Sequence, residues 1–257
     1  SVKRDKRSAN TRLRSIRVLR NALNKAVRLR IIPFNPMAAV DKPKVVRKTV
    51  SPLEPDQCHD LFAASESHRI GDIVILAAMT GLRKGELFAL QWNAVNLDEC
   101  VLVVRKTLQE LHGVSVKENR GRTLKEPKTA AGRRVIPLGK GAVEALRNRL
   151  AKAEAEGFDT QQVETVFPNI RGGFLLGLNL DRNVWHPIRH AAGIPASLVF
   201  HDLRHTQASL MLAAGVDLKV IQKRLGHRDF ATTANTYSHL LANAQTDAVD
   251  KLETRMR

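Results

Sequence analysis

Five prolines fall between positions 33 and 55, at Pro33, Pro36, Pro43, Pro52 and Pro55. Each fixes φ and removes a backbone donor, so no single helix or strand can run through this stretch. Lys42, Lys44, Arg47 and Lys48 make it basic as well, and it reads as a linker. The chain is therefore expected to fold in two pieces, residues 1–48 and residues 49–257. With 257 residues, 43% of them hydrophobic, there is material for one large domain or two modest ones.

The first piece is dominated by charge. Residues 1–50 hold 15 Lys or Arg against two acids, which is +13 of the chain's net +17. Within it, residues 8–31 predict a helix. Leu13, Ile16, Leu19, Leu23, Ala26 and Val27 recur at three- and four-residue steps, and arginines fill the other face. A solvated charged face is the ordinary reading of such a helix. At this density of positive charge, a face that tracks phosphates explains more. Arg12, Arg17, Arg20 and Arg28 are the residues assigned to the DNA backbone. Aromatic residues make up only 4% of the chain, so stacking on single-stranded bases fits poorly and contacts to duplex phosphates fit better. Cys58 and Cys100 lack metal-ligand spacing and read as two thiols in a reducing compartment. No apolar run reaches the length of a membrane span and no signal peptide is visible, so a cytoplasmic protein without a membrane partner is expected. The start at Ser1 rather than Met leads one to expect a preceding portion.

The second piece reads as mainly α with a small antiparallel β-sheet. A helix begins after Pro52 and Pro55. IGDIVILAAMTG predicts a buried helix ending near Thr80–Gly81. LRKGELF starts another, with Arg83 and Glu86 three apart; a plain structural ion pair accounts for that spacing equally well. CVLVVRKT is rich in β-branched residues. After a polar insert over residues 112–126, PKTAAGRRVIPL predicts a hairpin that turns at residues 130–132, with Lys128 on its first arm. GKGAVEALRNRLAKAEAEG is an amphipathic helix. Gly172–Gly173 marks a turn without the spacing of a nucleotide loop, so no cofactor is implied. The tail AQTDAVDKLETRMR predicts a last helix.

Residues 201–240 carry the densest chemistry. His201 and Arg204 are three apart and would share a helix face. Gly215 reads as a helix stop and Asp217 as the cap of a short helix, LKVIQKRL, closed by Gly226. His227 follows on the turn, and a threonine of ATTANT would cap a helix bearing Tyr237, the only tyrosine in the chain. Basic groups leading to one phenol suit chemistry on a phosphodiester. Taken singly, such histidines and tyrosines usually pack or face solvent. The helix–AAGVD–helix segment also fits a helix-turn-helix, which needs no catalysis.

Five motifs together, TGLRKGEL, PKTAAGRRVIPL, HDLRHT, LGHRD and TANTYSHL in that order, resemble the tyrosine recombinases, or phage-type integrases. The resemblance covers roughly residues 50–245. SANTRLRSIRVLRNALNKAVRLRIIPFNP is similar to the closing helix of that family's core-binding domain, while the remainder of such a domain has no counterpart in these residues. The resemblance implies a DNA breaking-rejoining catalytic fold and a catalytic set of Arg83, Lys128, His201, Arg204, His227 and Tyr237.

It implies roles too. Tyr237 would attack a scissile phosphate of double-stranded DNA and leave a 3′-phosphotyrosyl bond. Arg83 and Arg204 would grip the non-bridging oxygens. Lys128 would protonate the leaving 5′-oxygen, His201 would help move the phenol proton, and His227 would donate to the phosphate. Glu86 would orient Arg83 or the histidine region. No metal or ATP is required by that chemistry. A homotetramer on a DNA synapse is implied, with the isolated chain expected to stand as a monomer, and integration by a mobile element in a prokaryotic nucleoid is the favoured setting. Two alternatives remain open: relaxation of the type IB topoisomerase kind, and a non-catalytic helix-turn-helix regulator.

Overall fold

The computed structural model describes residues 8–44, 52–110, 122–127, 132–159, 164–231, 233–234, 237 and 256. The chain divides into two compact units, Ser1–Thr49 and Val50–Arg257. Among the described residues no helix is long and apolar enough to cross a membrane.

The first unit is built on α1, Ala9–Arg28, capped by Ser8, whose Oγ accepts from the Thr11 amide at 3.2 Å. No residue of α1 is fully buried, so its apolar stripe is only half-covered. A short 3₁₀ turn, Pro36–Ala39, folds back on it. Arg20 ties the two together by donating to the carbonyls of Met37 at 2.7 Å and Val40 at 3.0 Å. Arg20 is thus engaged by backbone, whereas Arg12, Arg17 and Arg28 are exposed.

In the second unit, Pro55 opens α2, Pro55–Glu66, at a position where its missing N–H costs nothing. The Glu54 amide donates to Gln57 Oε1 at 3.0 Å and completes a capping box. Helix α3, Asp72–Thr80, is apolar on every side, and eight of its nine residues are buried. An all-apolar helix must lie inside a core, and α2, α5 and α8 pack around this one. Its buried Asp72 is paired with Lys152 at 2.9 Å.

After α4, Lys84–Phe88, come the strands β1, Val95–Asn96; β2, Val101–Val104; β3, Thr107–Glu110; β4, Arg122–Lys125; and β5, Arg134–Pro137. They form two antiparallel sheets, β1-β2-β5 and β3-β4. Helix α5, Lys140–Ala155, follows. Helices α6, Gly177–Leu180, and α7, His186–Ala191, are joined by a π-helical turn over Asp181–Trp185. The chain continues into α8, Asp202–Ala213, and α9, Leu218–Leu225.

Three expectations change. The second arm of the hairpin predicted over 127–138 is paired with a distant strand, and residues 128–131 of that hairpin lie outside the described residues. Strand β5 pairs with β2, which places Ile136 opposite Leu102, both wholly buried. The end of the polar insert is itself a strand, β4, paired with β3. The helix toward Tyr237 begins before the threonines: Phe230 and Ala231 are already helical, and Asp229 Oδ1 accepts from the Ala231 amide at 3.0 Å. Lys128 and the predicted final helix, Met256 apart, lie outside the described residues.

Candidate active site

The site is assembled from the ends of α3 and α9, the starts of α4 and α8, and the segment bearing Tyr237. Helix α3 stops at Gly81, which takes a left-handed φ of 66°. That conformation favours glycine, and so does the space. A Cβ there would stand 2.8 Å from Gln207 Oε1 and 2.9 Å from Leu225 Cδ2. Gly81 therefore lets α8 and α9 close against the end of α3.

Two residues on, Arg83 caps α4. Its amide donates to Glu86 Oε2 at 2.9 Å, and its Nη1 to Glu86 Oε1 at 2.8 Å. Its Nη2 donates to the Gly226 carbonyl at 3.0 Å. The side chain is still 38% exposed. A guanidinium has five N–H donors, and the described residues engage only two of those on Arg83.

Glu86 is buried and held from both sides. Arg134 at the start of β5 donates to it through Nη2 at 2.8 Å and Nη1 at 3.1 Å. Burial opposes ionisation of this carboxyl, but hydrogen bonds and charge from Arg134 and charge from Arg83 prevail and hold it below its ordinary range. Arg134 also donates to the carbonyls of Arg224 at 2.6 Å and Gly132 at 3.1 Å. Sequence reasoning missed Arg134. One arginine of GRRVIPL looks like any other until the strand pairing turns it inward.

Arg204 on α8 is 4% exposed. It donates to the carbonyls of Gly81, the cap of α3, and Leu225, the last residue of α9. Burial, then repulsion from Arg83, pushes its guanidinium down to about 9, which leaves it charged at neutral pH. Arg83 and Arg204 thus converge on the adjacent carbonyls of Gly226 and Leu225. Gly226 ends α9 with a left-handed φ of 66° and turns the chain toward His227. His227 Nδ1 sits 2.8 Å from Thr233 Oγ1, and Gln222 holds its carbonyl at 3.0 Å. Burial together with Arg204 and Arg83 lowers its imidazole to about 4, so it is neutral at pH 7.

His201 stands at the cap of α8, solvent-accessible, not inside the helix with Arg204 as its spacing suggested. Partial desolvation, then His205 and Arg204, holds its imidazole below the ordinary histidine range. Tyr237 is 2% exposed, packed with Ala208, Ile221 and Leu225. Burial raises its phenol to about 12, and the positive charge of Arg204 works in the opposite direction. The histidine at its hydroxyl is His205, whose Nδ1 lies 3.1 Å from Tyr237 Oη. Sequence reasoning missed His205 as well, though a signal was there: it falls four residues after His201, on the next turn of one helix.

Lys128 lies outside the described residues, but its flanks are fixed. A Cβ on Gly132 would fall 2.4 Å from Pro127 Cβ, so the two ends of that short segment touch beside Arg134. Among the described residues, no group of three or more His, Cys, Asp or Glu side chains is placed to hold a metal.

The Phage integrase family matches residues 52–244, which takes in every described member of this site. The chain belongs to the phage integrase family. Among its relatives is a tyrosine recombinase XerC-like protein of Caldanaerobacter subterraneus subsp. tengcongensis, 29% identical over 216 residues. That match covers 80% of this chain and 55% of the relative, so the chain spans about half of its length. The fold is that of the Tn1549 transposon integrase, solved in complex with a circular intermediate DNA. The TM-score is 0.77 at 21% identity, over 95% of this chain and 80% of that one. A lambda integrase tetramer bound to a Holliday junction matches with a TM-score of 0.58 at 22% identity, over 86% of this chain and 57% of that one. This integrase-family chain therefore carries its arginines, histidines and tyrosine on a fold shared with DNA-bound integrases.

Proposed function

We propose that the chain cuts and rejoins double-stranded DNA through a 3′-phosphotyrosine intermediate, as a site-specific recombinase. The observation that carries the reading is the convergence of Arg83 and Arg204 on the Leu225–Gly226 turn, with the sole tyrosine packed against Leu225. Tyr237 Oη attacks the phosphorus. Arg83 and Arg204 donate their remaining N–H groups to the non-bridging oxygens, where negative charge grows in the transition state. Removing one such donor from a site of this kind typically costs about 10²–10³ in rate. Neutral His227 donates a further hydrogen bond. Lys128 protonates the 5′-oxygen as it leaves, from a segment whose ends are pinned beside Arg134. Glu86 fixes Arg83 and takes no part in bond breaking.

Arg12, Arg17 and Arg28 on the exposed face of α1 contact the DNA backbone, and residues 1–48 act as a separate DNA-binding piece. The DNA-bound integrases of like fold support the duplex partner, and the Holliday-junction tetramer supports a fourfold assembly on DNA.

The test uses supercoiled plasmid in EDTA without ATP, quenched with detergent. The expected product is a covalent protein–DNA adduct that Tyr237→Phe abolishes while duplex binding stays within a few-fold. An adduct formed by the phenylalanine variant would refute the nucleophile.

A further inference from the structure

We propose that His205 is a catalytic residue of the same site: its Nδ1 accepts the Tyr237 phenol proton as Oη attacks the phosphate. The inference rests on the strand-cleavage reading above and adds to it a group for which none of the five motifs supplied a role.

The geometry is specific. Nδ1 and Oη are 3.1 Å apart, and the two rings lie 6.1 Å apart at 54°. No other hydrogen bond to this hydroxyl is formed by the described side chains. His201, one turn earlier, meets the His205 ring edge-on at 5.8 Å. The hydrogen bond to the phenol is therefore made by His205, not by His201, to which the sequence had given the phenol proton.

The electrostatics suit an acceptor. His205 is half-buried, and desolvation holds its imidazole below the ordinary range, with Asp202 pulling the other way and Arg204 adding to the depression. It is therefore neutral at pH 7 and has a ring lone pair to offer. Tyr237 faces it from the last described segment, His201, Asp202 and Arg204 from its own helix, and His227 from beyond α9. A phenol raised to about 12 holds its proton firmly and needs an adjacent base to release it.

The step balances without an outside reagent. The Oη–P bond forms and the P–O5′ bond breaks. The phenol proton moves to His205 Nδ1, and the leaving 5′-oxygen takes a proton from Lys128. Religation runs the same transfers in reverse.

Two measurements on the full chain test this. First, Tyr237 is the only tyrosine, so the tyrosine Fermi doublet in ultraviolet resonance Raman reports this phenol alone. The wild-type doublet is expected to show a donating hydroxyl, and His205→Ala is expected to lose that signature. A non-donating wild-type phenol, or no change in the variant, overturns the proposal.

Second, adduct formation on supercoiled plasmid is followed across pH for wild type and His205→Asn. Asparagine places an amide oxygen near Nδ1, so it can keep the hydrogen bond but cannot hold a proton. The expected result is a fall of at least about 10²-fold in rate and loss of the acid limb of the profile. An adduct from His205→Asn at the wild-type rate at every pH overturns the role of His205 alone. Absence of any Tyr237-dependent adduct from the wild type overturns the strand-cleavage reading, and this proposal with it.

Discussion

Replacing Arg134 with methionine should destabilise the second unit in a way that depends on pH. Arg134 supplies two of the hydrogen bonds that hold the Glu86 carboxylate, at 2.8 and 3.1 Å, and Glu86 is only 6% exposed. Without it, the charge keeps one partner, Arg83, which is 38% open to solvent. Breaking a buried pair by removing one member costs about 3–5 kcal/mol, and the surviving Arg83 contact argues for about 3. With a urea m-value of about 2 kcal/mol/M, the unfolding midpoint should drop by about 1.5 M. In the wild type, Glu86 is held below its ordinary 4.5, so its contribution is present above that pH and lost as the pH falls through the lowered value. In the variant, desolvation is no longer outweighed, and Glu86 takes up a proton at higher pH than in the wild type. The gap between the two proteins should therefore be widest near about pH 8 and narrow toward about pH 5. Urea melts followed by the fluorescence of the two tryptophans read both quantities. Adding Glu86→Gln to the variant should restore much of the loss, because no buried charge is then left unpaired. A pH-independent gap, or a double variant no more stable than Arg134→Met, would refute the reasoning.

Four further outcomes follow from the structure. Gly81→Ala should cost about 1–3 kcal/mol in a thermal or urea melt, because the left-handed backbone is strained for alanine and its methyl meets Gln207 and Leu225. Absorbance titration of the sole tyrosine should give a midpoint near 12 in the folded chain. In denaturant it should return to about 10. The raised folded value means that stability is intact below about pH 10 and is lost as the pH rises toward the folded midpoint. Changing Arg12, Arg17 and Arg28 together to alanine should flatten the salt dependence of duplex binding by about 0.9 in slope per lost phosphate contact. Arg20→Ala, which frees the Met37 and Val40 carbonyls, should instead loosen the 3₁₀ turn, seen as faster exchange of the Ala38 and Val40 amides.

Much of the site was legible because its residues sit at helix punctuation. Gly81 and Gly226 were readable as stops, Asp217 as a cap, and Arg83 and His227 lie beside those marks. Local rules govern such positions, since a left-handed stop or a capping side chain depends on only a few neighbouring residues. The apolar run of α3 likewise announced a buried helix, because no face of it could be left in water.

What stayed hidden depends on contacts between residues far apart in the chain. Strand β5 pairs with β2, where Ile136 and Leu102 bury each other, and no local pattern reveals that pairing. That pairing turns Arg134 inward onto Glu86. The packing of Ala208, Ile221 and Leu225 around Tyr237 decides which histidine meets the phenol, and it selects His205 within α8 over His201 at its cap. The sequence by itself determined the residue types that can grip a phosphate and attack it, and the two-piece division imposed by the prolines. Only the tertiary structure decided which side chains face one another, because side-chain partners are set by the packing of helices and strands that the sequence places more than 30 positions apart, as His205 and Tyr237 are.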